Sequence, residues 1–344
     1  MSDPMKKIKT AIIGYGMATR FFHLPPLKNH PHFEVTHILT RDQKKHEKIY
    51  EVMPNVKIVS SIDDIVNHEE IDLVVIATSN DVHQSYTEKA LLKGKHVVCE
   101  KPFVETKDKA KALFDLSLKK GVILNVFHNR QYDGDILTIE RLLKTEDFGK
   151  ITQVHMRFDR LNPHVSDNWR DKDAHMAGVY FDLAPHLVFD AIKLFGKPER
   201  VLLDLMIDRE EAIVDDHFEM ILSYQDGLRI FLGAGILTRH DVPRFMIEGS
   251  KKTYVKYGFD QPDCNFDILE DSYQSSNLKS VLIDNHGIKK DIPILIGKHY
   301  LFYDHLYDQI MSKKPDQTKL ALLVIEIMAL GLKSFNEKKW VSLP

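Results

Sequence analysis

Apolar residues in the first third of the chain come in short runs. IKTAIIG (8–14), FEVTHILT (33–40), LVVIATS (73–79), HVVCE (96–100) and VILNVF (122–127) are rich in aliphatic and β-branched side chains. Helical patterns separate them: one after the first run, one from Gln43, one from Val82 and one over 107–119. Apolar runs of this length alternating with helices predict βαβ units and a parallel sheet covered on both faces. The first domain, 1–127, is therefore expected to be a doubly wound, mostly parallel α/β sheet of the Rossmann kind.

The pattern changes near residue 150. ITQVHMRFDRL, ERVLLDLMI, HFEMILSYQDG, LRIFLGAGIL and RFMIEGSKKTYVKYG follow one another with mostly short turns, interrupted by one helical stretch, GVYFDLAPHLVFDAIKLFG (178–196). This predicts an α+β second domain, 128–344, built on a large, mostly antiparallel, open-faced sheet. DGDILTIERLLKTEDFG (133–149) reads as a helix bridging the two halves. LALLVIEIMALGL (320–332) is too short for a membrane span and carries Glu326 in its middle, so it is expected to be a buried or half-buried helix.

Composition narrows the function classes. With 344 residues, 43% hydrophobic and 28% charged, the chain is long enough for two globular cores. Its formal charge of −3 and the lack of a dense Lys/Arg run argue against nucleic acid as a partner. Cys99 and Cys264 are too few for a disulfide framework, and MSDPMKKIKT has no apolar signal-peptide core, so a cytoplasmic setting is expected, without membrane association. His30 and His32 flank one residue, but HExxH and a Cys/His quartet are both absent, and no metal is expected.

The chemistry gathers where predicted strands end. GYGMAT follows the first strand, with Gly14 and Gly16 in place and Thr19 where the dinucleotide fingerprint has its third Gly or Ala. Glycines there let a backbone approach a pyrophosphate at a helix N-terminus; a plain tight turn is the competing reading. The second strand ends Leu39-Thr40-Arg41 and lacks the carboxylate that binds the ribose hydroxyls of NAD. A hydroxyl and a guanidinium suit a 2′-phosphate, which predicts NADP over NAD unless Arg41 faces solvent and Asp42 takes the ribose. Thr78, Ser79 and Asn80 end the third strand, although Asn80 serves equally as a helix cap.

CEKPF ends the fourth strand. Glu100 and Lys101 point to opposite faces of an extended strand and do not easily pair, and Pro102 keeps Lys101 extended. Lys101 thus stands where a nicotinamide would lie. In the second domain Asp182 and His186 are four apart, the spacing of side chains on one helix face. A cap near the helix start and a half-buried imidazole are the plainer alternatives, and Pro185 lies between them.

With AIIGYGMA, ATSNDVH, ALLKGKHVVCEKPF and GVYFDLAPHLVFDAIKLFG together, the chain resembles the Gfo/Idh/MocA oxidoreductases over nearly its whole length. FHNRQYDGD (127–135), NWRD (168–171) and YGFDQPD (257–263) are most similar to its NADP-dependent scyllo-inositol and sugar dehydrogenase branch. The 171–177 stretch, DKDAHMA, departs from the glycine-rich loop of that branch. The resemblance implies that Lys101 favours an alkoxide, that His186 acts as general base and that Asp182 orients the substrate or the imidazole. It implies cofactor contacts at Gly14, Tyr15, Gly16, Met17, Ala18, Thr40, Arg41, Thr78, Ser79, Asn80, His83, Glu100 and Lys101. It also implies a polyol or sugar met by Asn129, Arg130, Trp169 and Arg170, with core packing as the alternative for Trp169, and a homodimer or homotetramer through the second domain's sheet. A non-catalytic dinucleotide-binding regulator, and a reductase of a dihydrodiol or tetrapyrrole, are the other functions the family offers.

Overall fold

The computed structural model describes residues 7–165, 171–172, 175–259 and 279–344. The chain divides into two compact units. One runs through Asn129 and takes back His299–Leu322; the other holds Arg130–Lys298 and Leu323–Pro344.

The first unit is the doubly wound sheet. Its elements are β1 (Ile8–Ile13), α1 (Leu24–Lys28), β2 (Phe33–Leu39), α2 (His46–Val52), β3 (Lys57–Val59), α3 (Ile62–Val66), β4 (Leu73–Ile76), α4 (His83–Leu92), β5 (His96–Cys99), α5 (Lys107–Lys120) and β6 (Leu124–Val126). Six strands lie in the order β3-β2-β1-β4-β5-β6, all parallel. Every residue of β4 is buried, as a strand covered on both faces requires. Side-chain caps set helix starts: Ser61 accepts the Asp63 amide at α3, and Thr106 accepts the Lys109 amide at α5. Gly121, left-handed at φ 68°, ends α5. The pattern of long apolar runs missed β3, whose three residues are only partly covered.

The second unit contains α6 (Gly134–Thr145), β7 (Ile151–Arg157), α7 (Gly178–Phe195), β8 (Arg200–Met206), β9 (His217–Ser223), β10 (Arg229–Gly235), β11 (Pro243–Gly249), β12 (Lys252–Tyr257), β13 (Lys279–Asp284) and β14 (Lys289–Asp291). After them come α8 (Leu301–Ser312), α9 (Thr318–Glu337) and β15 (Val341–Ser342). The nine-stranded sheet runs β14-β13-β12-β11-β7-β10-β9-β8-β15, antiparallel except for the β7–β10 pair. Val154, Met156, Phe218, Met220, Ile230 and Leu232 form its buried face. On the other face a half-exposed row, Leu202, Ile221, Phe231, His155, Met246 and Val255, crosses six strands in register. Within α9, Gly331 admits a close neighbour: a Cβ there would lie 2.7 Å from the Tyr180 hydroxyl, which donates to the Met328 carbonyl.

The expected second domain ran unbroken from 128 to 344, whereas α8 packs into the first unit. Phe302 and Tyr303 meet Phe127 and Phe33 edge-on or tilted, and Tyr307 stacks on His32 at 3.9 Å. His30, in the loop before β2, is buried and bonds Asp304 at 3.0 Å. Apolar and aromatic residues of α8 thus find their core across a long sequence separation, which local periodicity does not reveal.

A polar layer is sealed inside the second unit. A register shift near Pro243 turns Arg244 inward, where its guanidinium lies 3.7 Å from the Phe158 ring centroid and donates to the Arg157 carbonyl. Asp135 on α6 meets Lys256 at 3.4 Å and Arg244 at 3.9 Å. Asp190 on α7 is buried with neither carboxyl oxygen hydrogen-bonded. Burial, reinforced by the nearby Asp133 and Asp135 charges, holds its titration well above the usual carboxylate range, despite the opposing pull of Arg244. Arg244 itself stays charged, because guanidinium is effectively never deprotonated.

A carboxyl titrating higher in the folded than in the unfolded state contributes full stability below the unfolded value of about 3.9 and loses it as the pH rises toward the folded value. Asp190→Asn carries no such loss. Its stability should therefore rise relative to wild type between about pH 4 and pH 7, by about 1.4 kcal/mol per pH unit until the folded titration is reached, and its melting temperature should rise with it. Thermal melts in which the difference is independent of pH would contradict a neutral Asp190.

Candidate active site

The parallel register lines up the strand ends of the first unit. Ile13 is level with Leu39 on one side and with Ile76 on the other; Ile76 is level with Cys99, and Cys99 with Val126. The turns that follow, 14–18, 40–42, 77–82 and 100–102, therefore leave one edge of the sheet together. The strand order reverses between β1 and β4, the switch point at which ligands collect in open α/β sheets. Every residue expected to meet the dinucleotide lies in these turns or at the start of α4.

Two glycines do different work there. Gly14 has φ +99°, and a Cβ on it would stand 2.2 Å from the Ala77 carbonyl oxygen, so the fold itself excludes a side chain. Gly16 has nothing within 4 Å of its Cβ position and an ordinary φ. No protein neighbour requires a glycine at 16, and the open space there fits the approach of a pyrophosphate to the following helix. Thr19 in place of the third small residue has a local reason: its buried hydroxyl donates to the Gly14 carbonyl at 2.8 Å and ties the loop to a turn of π-helix, Thr19–His23.

At the end of β2, Thr40 is buried, and its hydroxyl accepts the Asp42 amide at 3.3 Å. Arg41 is exposed, and its Nε donates to the Ser60 carbonyl at 3.4 Å. Asp42 caps the next turn through the Lys44 amide and lies 3.7 Å from the Lys45 ammonium. At the end of β4 the cap position belongs to Ser79, and Asn80 is the buried first residue of the turn, so Asn80 is not the cap.

His83 links this turn to the CEKP turn. Its Nδ1 lies 2.8 Å from the Pro102 carbonyl and its Nε2 3.3 Å from the Thr78 carbonyl. Burial pushes its titration down. A neutral ring donates once, and the shorter contact assigns the proton to Nδ1. Glu100 is turned into the interior, with one oxygen near His23 and the other accepting the Lys101 main-chain amide. Burial alone would raise its titration, but the His23 hydrogen bond, aided by the Lys101 charge, holds it below the usual range. Lys101 is half-buried. Its positive charge joins burial in pushing His128 down to about 3.

Of the other sequence-predicted groups, Asp182 and His186 lie on α7 and Arg130 opens the second unit. Asp182 and His186 are inside α7, which continues through Pro185, so Asp182 is not a cap; Ala177 occupies the N-cap position. Asp215 secures the helix start. Its Oδ2 accepts the Tyr180 amide at 2.6 Å and its carbonyl accepts the Val179 amide at 2.9 Å, while burial pushes its carboxyl up to about 6. Gly178, at φ +90°, leaves room for that carboxylate. The buried His186 ring meets Phe158 edge-on at 6.5 Å, and Arg130 bonds Asp133 at 3.1 Å with its guanidinium over the same ring. Asn129 is buried at the end of the first unit. Trp169 and Arg170 lie outside the described residues.

His23, Tyr303, Asp215, Asp190 and Arg244 escaped the sequence reading. His23 stands in FFHLPP directly after the glycine loop, a position that a search beyond the fingerprint could have caught. The others act through long-range contacts that no local spacing announces. Among the described residues, no group of three His, Cys, Asp or Glu side chains is placed to hold a metal ion.

A parallel sheet with a glycine loop at its switch point, joined to an α+β unit, defines a two-unit dinucleotide-binding oxidoreductase. Residues 8–128 match the family model described as "Oxidoreductase family, NAD-binding Rossmann fold", and residues 136–255 match the GFO/IDH/MocA C-terminal domain. The chain belongs to the Gfo/Idh/MocA oxidoreductase family. It is 33% identical over 347 residues to the oxidoreductase YdgJ of Escherichia coli, covering 98% of each chain. It is 29% identical to the NADP(+) scyllo-inositol 2-dehydrogenase IolW of Bacillus subtilis, covering 98% of this chain and 96% of that protein. The solved structure of the oxidoreductase yvaA from Bacillus subtilis superposes with a TM-score of 0.90 at 28% identity, over 98% of this chain and 99% of the other.

Proposed function

We propose that the chain is an NADP-dependent dehydrogenase acting on a secondary hydroxyl of a cyclic polyol or sugar. The observation that carries the cofactor half is the end of β2. Arg41 offers a planar donor fork there, and the neighbouring carboxylate, Asp42, is already engaged as a cap and beside Lys45. The similarity to an NADP(+) scyllo-inositol 2-dehydrogenase supports both halves of the reading, and shorter matches to two D-xylose dehydrogenases support a ring sugar or polyol.

In this reading Lys101, Asp182 and His186 are the catalytic residues. The Lys101 ammonium donates to the reacting hydroxyl and stabilises the charge that develops on its oxygen. His186 accepts the hydroxyl proton, and Asp182 orients the substrate or the imidazole. The nicotinamide, when bound, supplies the hydride acceptor at C4. Hydride leaves the carbinol carbon as the proton reaches His186, so a ketone, reduced cofactor and one proton balance the oxidation. Asn129, Arg130, Trp169 and Arg170 are proposed to hold the substrate's other hydroxyls and ring. We place the enzyme in the cytoplasm, where the NADP(H) pool that it needs is found.

The half-exposed row from Leu202 to Val255 supports a homo-oligomer formed through that sheet face, since broad apolar faces are seldom left to water. Light scattering should return a dimer or tetramer; the monomer mass alone would overturn this assignment.

Arg41→Ala should weaken NADPH binding by about ten- to a hundredfold in a fluorescence titration while leaving NADH binding nearly unchanged. Equal losses for both cofactors would remove the 2′-phosphate role. Lys101→Ala should lower kcat on scyllo-inositol by roughly a hundredfold or more with NADPH affinity nearly intact. A variant that keeps most of its turnover would sink the catalytic assignment.

A further inference from the structure

Three buried side chains from distant parts of the chain meet beneath the CEKP turn. Tyr303 of α8 places its hydroxyl 2.7 Å from His23 Nδ1, across 280 residues of sequence. His23 Nε2 lies 3.2 Å from Glu100 Oε1, and Glu100 Oε2 accepts the Lys101 amide at 3.1 Å. The chemistry gives this chain one direction. An ionised Glu100 only accepts, which assigns a proton to His23 Nε2. Burial keeps the Tyr303 proton on its oxygen, so the hydroxyl donates to Nδ1. Both Glu100 oxygens then have a donor.

Aromatic rings bury the His23 and Tyr303 end of this chain. His23 packs against Phe127 at 4.0 Å, and Tyr303 sits among Phe33, Phe127 and Phe302. On the far side of Lys101, the Pro102 carbonyl is bonded by His83. The Lys101 backbone is thus gripped before and after by buried polar groups, while the side chain projects from a fixed point.

We infer that Tyr303, His23 and Glu100 form a positioning relay for Lys101, in which the essential element is a hydrogen-bond donor at His23 Nε2 rather than the bulk of the ring. The relay rests on the reading of Lys101 as the cation at the reacting hydroxyl. His23 and Tyr303 are positioning residues, since they act on that hydroxyl only through Glu100 and the Lys101 backbone.

Substitutions at His23 separate a donor from a space-filler. Glutamine puts an amide N–H near the place of Nε2, asparagine reaches only the place of Nδ1, and leucine keeps bulk without a donor. The Lys101 amide is followed by hydrogen exchange in 15N NMR, an arm that needs no substrate, and turnover is measured with NADP and scyllo-inositol. The relay predicts that His23→Gln keeps slow exchange at Lys101 and most of kcat. His23→Asn and His23→Leu should exchange faster and lose about ten- to a hundredfold in kcat, with NADPH affinity and KM little changed. Glu100→Gln, which preserves volume but cannot accept from both donors, should behave like the leucine variant and covers the case in which that variant does not fold. Leucine performing as well as glutamine in the exchange series would overturn the relay. Full turnover in Lys101→Ala would instead overturn the catalytic reading beneath it, and the exchange series would still decide whether the relay exists.

Discussion

The approach of Gly14 to the Ala77 carbonyl is the constraint on which the rest of the first unit depends. Any side chain at 14 would stand 2.2 Å from that oxygen, so only glycine lets the turns after β1 and β4 lie together at the switch point. With that contact in place, the parallel register brings the ends of β2 and β5 to the same edge. Gly16 then has open space above it, and Arg41, Asn80 and Lys101 share one rim of the sheet. A substitution at Gly14 would disturb the site by moving strands, whereas one at Gly16 would act on whatever fills the space.

The two units hold buried polar groups in contrasting ways. Beneath Lys101 the groups form a chain in which each acceptor has a donor, and burial strengthens such a chain by lowering the local dielectric. Inside the second unit Asp190 has no hydrogen-bond partner, and burial pushes its titration up, favouring the protonated form. The first arrangement fixes a backbone in place. The second makes stability depend on pH, and it lies one helical turn beyond His186 on α7.

Much of this was legible in the sequence, for physical reasons that differ from element to element. β1, β4 and β5 announce themselves because strands covered on both faces must be continuously apolar. The cofactor turns follow directly, since a parallel sheet with that strand order aligns its carboxyl ends. β3 and α8 were not legible: β3 is short and half-covered, and α8 packs through Tyr303 and Tyr307 against residues near 30 that no local period connects to it. The parallel β7–β10 pair was hidden for a similar reason, because neighbouring runs in the sequence need not be neighbours in the sheet. Lys101 stood out from its motif, but the fate of Glu100 depended on His23, in the helical turn after β1, two strands away in the sheet. Chemistry carried by a turn can be read from a few residues, while the groups that hold that turn are scattered through the chain.

The proposed reaction passes a hydride between NADP and a ring hydroxyl. The most direct measurement is absorbance at the reduced-nicotinamide band, with purified protein, NADP or NAD, and a panel of inositols and aldoses. Growth is expected with NADP and at least one polyol or sugar, and little with NAD. Silence across the panel, from protein that still binds NADPH, would contradict it.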